Sequence, residues 1–409
     1  MKILITTDTY LPMINGVATS VNNLYKELKY KGHDVKILTL SYNSDEKIDG
    51  DVYYLKSIGI KVYPDARIKF PLHNNFIKEI IKWNPDIIHS QTEFSMMLVS
   101  KYIANKLEIP HIHTYHTMYE NYLNYLLGGK IINKKISVKI TKILLNSLDS
   151  VIVPTEKTKN TLLNYGIDKP MYVIPTGIDL TRFQHTISSK QKLEIMSKLK
   201  INQNDRIITY VGRVAEEKNI DEILTLLPNV INKFKNVKLM IVGGGPYINK
   251  LKELVKKQNL KDNVIFTGMI KPEEVYKYYK IAEIFVTAST SETQGLTYIE
   301  ALSSGCPVVC KYDPCIDGLI EDGKNGFSYK EKDQFAYYIC KMLDNNYLRD
   351  RMSKEAIITA NRYSGNIFAD KVLRGYYNIM NENKELNKQF VKQSIKEGNI
   401  RLLRLIHHK

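Results

Sequence analysis

The chain has 409 residues, 44% of them hydrophobic and 25% charged, which excludes a disordered protein and predicts two globular domains. Its 59 lysines and arginines against 43 aspartates and glutamates give a net charge of +16, which favours nucleic acid, anionic membranes or phosphorylated substrates as partners. A lysine-rich solvated surface is the alternative explanation. We find no signal peptide and no apolar run near the roughly 18 residues that span a bilayer, so we expect a cytosolic protein.

The four cysteines do not form a metal-binding pattern. None belongs to a C-x-x-C pair, and no histidine lies close by in sequence to complete a zinc site. We therefore expect reduced thiols with a structural role at Cys306, Cys310, Cys315 and Cys340.

The first half of the chain alternates short apolar runs with amphipathic runs. The apolar runs predict strands over residues 2–7, 34–40, 87–89 and 111–114. The amphipathic runs predict helices over residues 17–30, 75–83 and 94–107. This alternation predicts an α/β domain whose parallel sheet is covered by helices on both faces.

Three loops of this half follow strands, at residues 8–16, 91–94 and 115–122, and ligands of parallel sheets bind beyond the carboxyl ends of strands. Gly16, preceded by Asn15, permits a phosphate or a sugar to approach the backbone closely. Because the loop is not a G-x-G-x-x-G turn, it gives little support to a nicotinamide dinucleotide site.

The third of these loops is polar and aromatic. His116 is a candidate to orient or donate to a sugar hydroxyl, and Tyr119 and Tyr122 are candidates for the wall of an acceptor cleft. A structural histidine whose hydrogen bonds are satisfied by its neighbours is the alternative.

Residues 123–148 have the pattern of a basic amphipathic helix. Apolar side chains form one stripe at helical spacing, namely Ile132, Ile136, Ile140, Ile143 and Leu144. An adjacent face carries Lys135, Lys139 and Lys142. Such a helix can lie on an anionic membrane, each lysine contributing about 1 kcal/mol. The alternative is a helix whose stripe packs on the core while its lysines face water.

A second alternating series begins after a polar, poorly patterned stretch at residues 180–201, so we place a domain boundary near residue 180. Arg213 and Lys218 follow the first strand of this series, where a guanidinium and an ammonium can hold a diphosphate. Gly244 is the centre of a three-glycine run that permits close backbone approach, and Met269 follows the next strand, where its backbone can meet a base.

Residues 291–300 place two carboxylates eight residues apart around a glycine turn. Glu292 is expected at the carboxyl end of a buried strand, and Glu300 about two turns along the following helix. Between them, Gly295 and Leu296 present backbone N–H groups at a helix N-terminus, which is an anion site. The alternative is a capped turn beside a surface acid.

Taken in chain order, these motifs resemble the retaining family-4 glycosyltransferases of the GT-B fold over residues 1 to about 380. The motifs are Gly212-Arg213 with Lys218, the glycines 243–245, the stretch 292–300, and Pro175 to Asp179. The first half, at residues 7–10, 15–17, 91–94 and 113–122, is similar to the bacterial 1,2-diacylglycerol 3-glucosyltransferases. One departure is Cys310-Lys311, where smaller residues are usual.

The resemblance implies two Rossmann-like domains that face a central cleft, with a C-terminal helix crossing back to the first domain. The implied segments are an acceptor-side domain at 1–180, a nucleotide-sugar-binding domain at 181–360, a crossover helix at 361–381 and a basic amphipathic tail at 382–409.

The resemblance also implies the roles of single residues. Arg213 and Lys218 would bind the diphosphate and Glu300 the ribose. Glu292, together with the backbone after it, would bind the sugar hydroxyls and the distal phosphate. Gly16 would lie near the diphosphate, and His116 would contact the transferred sugar. The catalytic set is therefore His116, Glu292, Arg213 and Lys218. The donor-binding set is Gly16, Arg213, Lys218, Gly244, Met269, Glu292, Gln294, Gly295, Leu296 and Glu300.

From this resemblance we expect a peripheral membrane enzyme that moves glucose from UDP-glucose to diacylglycerol with retention of configuration, without a cofactor or an essential metal. The basic tail, with Lys384, Lys388, Lys392 and Lys396, is a second candidate for contact with an anionic membrane, or else a solvated helix. Alternatives are a galactose or N-acetylglucosamine donor; phosphatidylinositol, a monoglycosyl lipid or a soluble sugar as acceptor; and a non-enzymatic membrane-surface binder. Nucleic acid is not expected, because no recognition motif or aromatic stacking platform accompanies the basic residues.

Overall fold

The computed structural model describes residues 1–13, 15–42, 45–59, 67–68, 74–117 and 134–396. The chain divides into two units. The first contains Met1–Pro154, Lys159–Ile174 and the chain from Phe368 onward, and the second contains Thr155–Thr158 and Pro175–Ile367. The boundaries near residues 180, 360 and 381 that we drew from the sequence stay predictions.

The first unit is built on a parallel sheet with strand order β10-β9-β8-β7-β1-β2-β4-β3. Among the described strands of this sheet, only the edge strand β3 pairs antiparallel, with β4. A separate pair, β5 and β6, is antiparallel. The strands are β1 (Lys2–Thr7), β2 (Asp34–Leu40), β3 (Lys47–Asp49), β4 (Val52–Leu55), β5 (Ile58–Gly59), β6 (Arg67–Ile68), β7 (Ile87–Ser90), β8 (His111–Thr114), β9 (Ser150–Val153) and β10 (Met171–Val173).

Helices cover both faces of this sheet because its strands are apolar on both sides. The helices are α1 (Gly16–Tyr30), α2 (Asn75–Trp83), α3 (Ser95–Leu107), α4 (Lys134–Leu145) and α5 (Glu156–Asn164). Helix α5 belongs to this unit from Lys159 onward, its first residues belonging to the second unit, and α14 (Gly365–Lys396) enters this unit at Phe368. One core cluster packs α1 and α14 on the sheet, and a second packs α2 and α3 on it. Asn15 caps α1 by accepting from the Ala18 N–H at 2.9 Å.

The second unit has a parallel sheet with strand order β13-β12-β11-β14-β15-β16. Its strands are β11 (Arg206–Val211), β12 (Val237–Val242), β13 (Val264–Gly268), β14 (Ile284–Thr287), β15 (Val308–Lys311) and β16 (Gly326–Tyr329). Its helices are α6 (Thr181–Gln184), α7 (Ser189–Lys198), α8 (Ile220–Lys233), α9 (Ile248–Lys257), α10 (Val275–Ile281), α11 (Leu296–Ser303), α12 (Lys332–Asp344) and α13 (Asn346–Asn361). Two large apolar clusters, one on each face, hold these helices to the sheet.

Several elements differ from those that the sequence pattern predicted. The polar stretch after residue 180 contains two helices, and α7 begins with a capping box in which Ser188 and Gln191 satisfy each other's backbone N–H groups. Strands β3 to β6 and β16 were not predicted. The crossover helix and the start of the tail form one continuous helix, α14, to Lys396. Residues 397–409 of the tail lie outside the described residues.

Two further findings concern the whole described chain. Across those residues, no helix combines the length and the apolar character that a membrane crossing requires. The cysteines are free thiols, with Cys306, Cys310 and Cys315 buried and Cys340 half-buried.

Candidate functional site

The second unit collects most of the predicted residues at the carboxyl ends of β11 and β14, which are neighbours in the sheet. A short 3-10 turn, Glu216–Lys218, follows β11 and presents Lys218. The Nζ of Lys218 donates to Oε1 of Glu292 at 2.7 Å, so the ammonium and the carboxylate that the motifs singled out form an ion pair. Arg213 forms its own ion pair with Glu217 one turn away.

Glu292 lies in the loop between β14 and α11 and is held as a carboxylate. Ser289 donates its hydroxyl hydrogen to the same oxygen, Oε1, at 2.8 Å. Burial alone would raise the pKa of Glu292, but the charge and hydrogen bond of Lys218, the hydrogen bond from Ser289 and the charge of Lys157 outweigh it and lower the pKa below its usual value. The site therefore keeps a largely buried negative charge that can accept hydrogen bonds from hydroxyl groups.

The glycine run after β12 lets two loops meet backbone to backbone. The N–H of Val214 donates to the carbonyl of Gly244 at 2.8 Å, and that of Gly212 donates to the carbonyl of Val242 at 2.9 Å. A Cβ on Gly243 would lie 2.0 Å from the carbonyl oxygen of Gly212. A Cβ on Gly245 would lie 2.2 Å from the carbonyl oxygen of Val214, so the loop that carries Arg213 can lie against the 243–245 loop only because Gly243 and Gly245 lack side chains.

Met269 lies directly after β13, beside this glycine run, and 75% of its surface is exposed. Its side chain is the nearest group to Gly244, since a Cβ there would lie 3.0 Å from Met269 Cγ. The two residues are thus neighbours at the edge of the sheet, as a shared role in binding a nucleotide requires.

Glu300 lies on α11 and faces a buried tyrosine. The hydroxyl of Tyr279 donates to Oε2 of Glu300 at 3.1 Å. Burial raises the pKa of Glu300 to about 7, although the charge of Arg182 and the hydrogen bond from Tyr279 act in the opposite direction. The two acids of the motif therefore differ in their partners. Glu292 forms an ion pair with Lys218, whereas the described contacts of Glu300 show a hydrogen bond from Tyr279 and no ion pair.

The turn between the two acids is a left-handed glycine followed by a helix. Gly295 has φ +74, and a Cβ there would lie 2.4 Å from the ring of Tyr298, so the position requires glycine. Helix α11 begins at Leu296. The side chain of Gln294 bonds both backbone groups of Thr176, at 2.7 Å to the N–H and 2.8 Å to the carbonyl. The sequence pattern did not predict this contact between Gln294 and Thr176. Donor binding by Gln294 stays a prediction.

The first unit places the loops after β1, β7 and β8 at one edge of its sheet, since these strands are adjacent and parallel. Gly16 is exposed as the first residue of α1. His116 follows β8, and its Nε2 lies 2.7 Å from Oε1 of Gln91 in the loop after β7. Burial, with the neighbouring His113, lowers the pKa of His116 to about 3, so the imidazole is neutral at physiological pH.

A polar network beneath this edge was missed at the sequence level. The hydroxyl of Ser90 lies 2.8 Å from His111 Nε2 and 2.9 Å from His113 Nδ1, and His113 Nε2 lies 3.2 Å from Glu93. The alternating His-x-His of β8 was the available signal, since period two puts both rings on one face of the sheet.

Asp8 joins the same edge from β1. Its carboxylate accepts from the Thr92 hydroxyl at 2.5 Å and from the Met96 N–H, in the first turn of α3, at 3.1 Å. Burial raises the pKa of Asp8 to about 6, against these hydrogen bonds and with help from the nearby charge of Glu93.

The predicted acceptor and membrane residues fall in two groups. Tyr119 and Tyr122 lie outside the described residues, so their predicted role in an acceptor wall stays a prediction. Lys135, Lys139 and Lys142 are exposed on α4. Three residues of the predicted stripe do not pack on the core, since Ile136, Ile140 and Ile143 are 44%, 48% and 62% exposed. Leu144 does pack against the core cluster that contains Leu145, and Ile132 lies outside the described residues.

The sequence of the chain is similar to that of known glycosyltransferases. Two family models match successive parts of the chain: Glycosyltransferase Family 4 at residues 14–182 and Glycosyl transferases group 1 at residues 191–359. The chain is 38% identical to alpha-monoglucosyldiacylglycerol synthase of Streptococcus pneumoniae over 345 residues, covering 84% of this chain and 78% of that protein. It is 31% identical to the protein of the same name from Acholeplasma laidlawii, covering 95% of this chain and 100% of that one.

Solved structures agree on the fold. The crystal structure of Anabaena HepE in complex with UDP-glucose has a TM-score of 0.71 at 16% identity, covering 92% of this chain and 100% of that chain. Sucrose-phosphate synthase from Thermosynechococcus elongatus has a TM-score of 0.68 at 18% identity, covering 96% of this chain and 100% of that chain. The protein is therefore a two-domain α/β protein with parallel sheets, of the GT-B class. Within that class, the chain belongs to the family-4 glycosyltransferases.

Proposed function

We propose that this glycosyltransferase moves glucose from UDP-glucose to the hydroxyl of 1,2-diacylglycerol at the inner face of the cell membrane, with retention at the anomeric carbon. The observation that carries the donor half is the Lys218–Glu292 ion pair, set beside Arg213 at the carboxyl ends of two adjacent strands. The similarity to two alpha-monoglucosyldiacylglycerol synthases supports the lipid acceptor.

In this proposal the diphosphate replaces the carboxylates as the partner of Arg213 and Lys218. The guanidinium of Arg213 leaves Glu217, and the ammonium of Lys218 leaves Glu292, each to bind phosphate oxygens. The N–H groups at the start of α11, from Gly295 and Leu296, add partial positive charge toward the distal phosphate. These groups stabilise the charge that develops on the leaving UDP, so no essential metal is required.

The two acids of the motif then have separate tasks. Glu300 accepts hydrogen bonds from the ribose hydroxyls, which are stronger when its carboxyl group is ionised. Glu292, released by Lys218, accepts from hydroxyls of the hexose and fixes its orientation. Gly244 and Met269 line the nucleotide end through their backbone. Gly16 and His116 are the proposed contributions of the first unit, to the diphosphate and to the transferred sugar.

The proposed reaction is a substitution on one face of the sugar. The acceptor oxygen forms a bond to the anomeric carbon on the face from which the UDP oxygen departs, and the carbon–oxygen bond to phosphate breaks. The proton of the acceptor hydroxyl passes to the departing phosphate oxygen. The products are an α-glucosyl lipid and UDP, and Glu292 acts by positioning the sugar without bonding to it.

The lysines and isoleucines of α4 support a membrane surface as the place of reaction. Ile136, Ile140 and Ile143 expose apolar side chains beside Lys135, Lys139 and Lys142. Apolar groups that enter the lipid interface, flanked by cations that bind anionic headgroups, are the two components of interfacial binding. The basic tail after residue 381 is the second proposed contact, on its sequence alone.

The activity is tested with purified protein, radiolabelled UDP-glucose and diacylglycerol in anionic liposomes. We expect a labelled monoglycosyl lipid, and we expect Glu292→Gln to lower kcat/KM by about 100-fold or more because a buried charge that orients the sugar is lost. Glu253→Gln, which neutralises an exposed carboxylate on α9, is the matched control. Absence of labelled lipid with UDP-glucose, UDP-galactose and UDP-N-acetylglucosamine alike would defeat the proposal. Label on phosphatidylinositol, a monoglycosyl lipid or a soluble sugar would instead identify another acceptor.

The membrane contact is tested by flotation with liposomes that contain anionic lipid. Replacing Lys135, Lys139 and Lys142 by glutamate is expected to reduce the bound fraction strongly, since about 1 kcal/mol per lysine is lost and repulsion is added. The control replaces the exposed lysines Lys190, Lys192 and Lys198 of α7 in the same way. Equal losses from both triple variants would mean that total charge, and not α4, drives binding.

A further inference from the structure

The loop that carries Glu292 is held by residues far away in sequence. Thr155, just before α5, donates its hydroxyl hydrogen to the carbonyl of Thr293 at 2.9 Å. Lys157, in the first turn of α5, donates through Nζ to the carbonyls of Thr290 at 3.0 Å and Glu292 at 3.2 Å. These three contacts lie within the second unit, to which residues 155–158 belong.

Lys157 is itself fixed by a carboxylate. Its Nζ lies 2.7 Å from Oδ1 and 2.8 Å from Oδ2 of Asp313, and the two side chains are only 16% and 7% exposed. Asp313 in turn accepts from the Cys315 N–H at 2.9 Å, capping the turn after β15. One ammonium therefore joins the Glu292 loop to the end of β15 through four oxygen atoms.

The two ends of the loop are restrained differently. Gln294 and Thr176 hold the end that enters α11 through a pair of amide hydrogen bonds. Lys157 holds the part that contains Thr290 and Glu292, where the described residues show no regular secondary structure. The backbone on either side of the Glu292 side chain thus depends on a charged donor, and hydrogen bonds to charged groups are about twice as strong as neutral ones.

We propose that Lys157, paired with Asp313, is a positioning residue for the donor sugar: it fixes the backbone of Thr290 and Glu292 so that the Glu292 carboxylate meets the hexose. This inference rests on the proposed function of Glu292. Lys157 does not contact the sugar, so its removal acts on the orientation of the hexose more than on the binding of the UDP part.

Removing Lys157 alone would leave Asp313 buried without its cation, which destabilises the fold for reasons unrelated to the donor. We therefore pair Lys157→Met with the double variant Lys157→Met/Asp313→Asn. The double variant has no unpaired buried charge, yet it still lacks the donors to Thr290 and Glu292. Lys157→Arg, which keeps a charged donor, is the conservative variant. The control is Lys233→Met, which breaks the exposed ion pair of Lys233 with Asp344 in the same unit.

The experiment measures the binding of UDP and of UDP-glucose by calorimetry, and then kcat and KM. We expect the affinity of the double variant for UDP to stay within about twofold of wild type, and its affinity for UDP-glucose to fall about tenfold. We expect kcat to fall about 10- to 100-fold, since a displacement of about 1 Å at a reacting group has effects of this size. Lys157→Arg is expected to restore part of the loss, and Lys233→Met to match wild type. An unchanged ratio of UDP-glucose to UDP affinity in the double variant, with unchanged kcat, would overturn the inference.

The binding measurement needs no acceptor, so a wrong lipid acceptor does not affect it. If the donor screen identifies another nucleotide sugar, the same comparison uses that sugar against UDP. If the wild-type protein binds no nucleotide sugar at all, the proposed function and this inference both fail.

Discussion

Tyr279 donates its hydroxyl hydrogen to Oε2 of Glu300 at 3.1 Å, and burial raises the pKa of this carboxyl group to about 7. A glutamate in water titrates near 4.5. Glu300 therefore changes its charge in the physiological range, whereas the ion pair with Lys218 lowers the pKa of Glu292.

The first prediction is that UDP binding strengthens as the pH rises from about 6 to about 8. Ribose hydroxyls donate to an ionised carboxylate, so binding favours the deprotonated form of Glu300 and releases a proton below pH 7. Calorimetry of UDP binding at several pH values tests this, with Glu300→Gln as the comparison. An equal pH dependence in Glu300→Gln would contradict the assignment.

The same group has the opposite effect on folding. Because the pKa of Glu300 is higher in the folded protein than in the unfolded chain, its contribution to stability is fully present below about pH 4.5 and is lost as the pH rises through about 7. We therefore expect the difference in unfolding free energy between Glu300→Gln and wild type to favour the variant more at pH 8 than at pH 5. Urea denaturation of both proteins at both pH values measures this difference.

The second prediction contrasts two neighbouring glycines. A Cβ on Gly245, whose φ is +155, would lie 2.2 Å from the carbonyl oxygen of Val214, which is backbone and cannot move cheaply. A Cβ on Gly244 would meet only the exposed side chain of Met269. Gly245→Ala is expected to lose about 3 kcal/mol of unfolding free energy, and Gly244→Ala less than about 1 kcal/mol. Similar midpoints of thermal unfolding for the two variants would show that the backbone contact is not required.

The third prediction concerns Lys311, which departs from the family pattern. Its Nζ lies 2.7 Å from Glu222 Oε2, while Tyr329 donates to Oε1 at 3.0 Å, so the unusual lysine has a partner on α8. Lys311→Met and Glu222→Gln are each expected to cost about 2 kcal/mol, and the double variant less than their sum, because each single change leaves a poorly solvated charge. A double-mutant cycle by urea denaturation measures this, and strict additivity would exclude the coupling.

The fourth prediction concerns the last helix. Tyr376 on α14 is fully buried, and its hydroxyl lies 2.6 Å from His89 Nδ1, whose Nε2 lies 2.6 Å from the Thr114 hydroxyl. Tyr376→Phe leaves a buried imidazole nitrogen without its partner and is expected to cost about 2 kcal/mol. The adjacent Tyr377, half exposed, gives the control Tyr377→Phe, which is expected to match wild type in chemical denaturation. Equal stability of the two variants would refute the role of this hydrogen bond.

The alternation of apolar and amphipathic runs predicted most strands and helices of both units, because burial on both faces of a sheet leaves its strands continuously apolar. It missed β3 to β6 and β16, which are two to four residues long and carry too few positions to show a period. It also missed α7, whose S-x-x-Q capping box was a signal present in the sequence.

Local spacing indicated the residues of the candidate site but not their partners. Residues 292 and 300 are eight positions apart, so one turn and one helix relate them. The contact from Lys157 to Glu292 spans 135 positions, and no periodicity links the two. Likewise, nothing local distinguishes Glu300, with a raised pKa, from Glu292, with a lowered one, since the difference comes from the burial of Glu300 in the folded chain and from Lys218, which lies on another element beside Glu292.

In the proposed function, the paired charges around Lys218 also affect how the donor is attracted. Arg213 and Lys218 face Glu217 and Glu292, so the formal charges of these four side chains sum to zero. If Arg213 and Lys218 bind the diphosphate as proposed, a doubly charged diphosphate replaces these carboxylate partners at contact distance, and the four side chains add no local surplus of positive charge that attracts it through solvent. We therefore expect these four side chains to add little salt dependence to donor affinity, because ions in solution screen long-range attraction far more than contacts between paired groups.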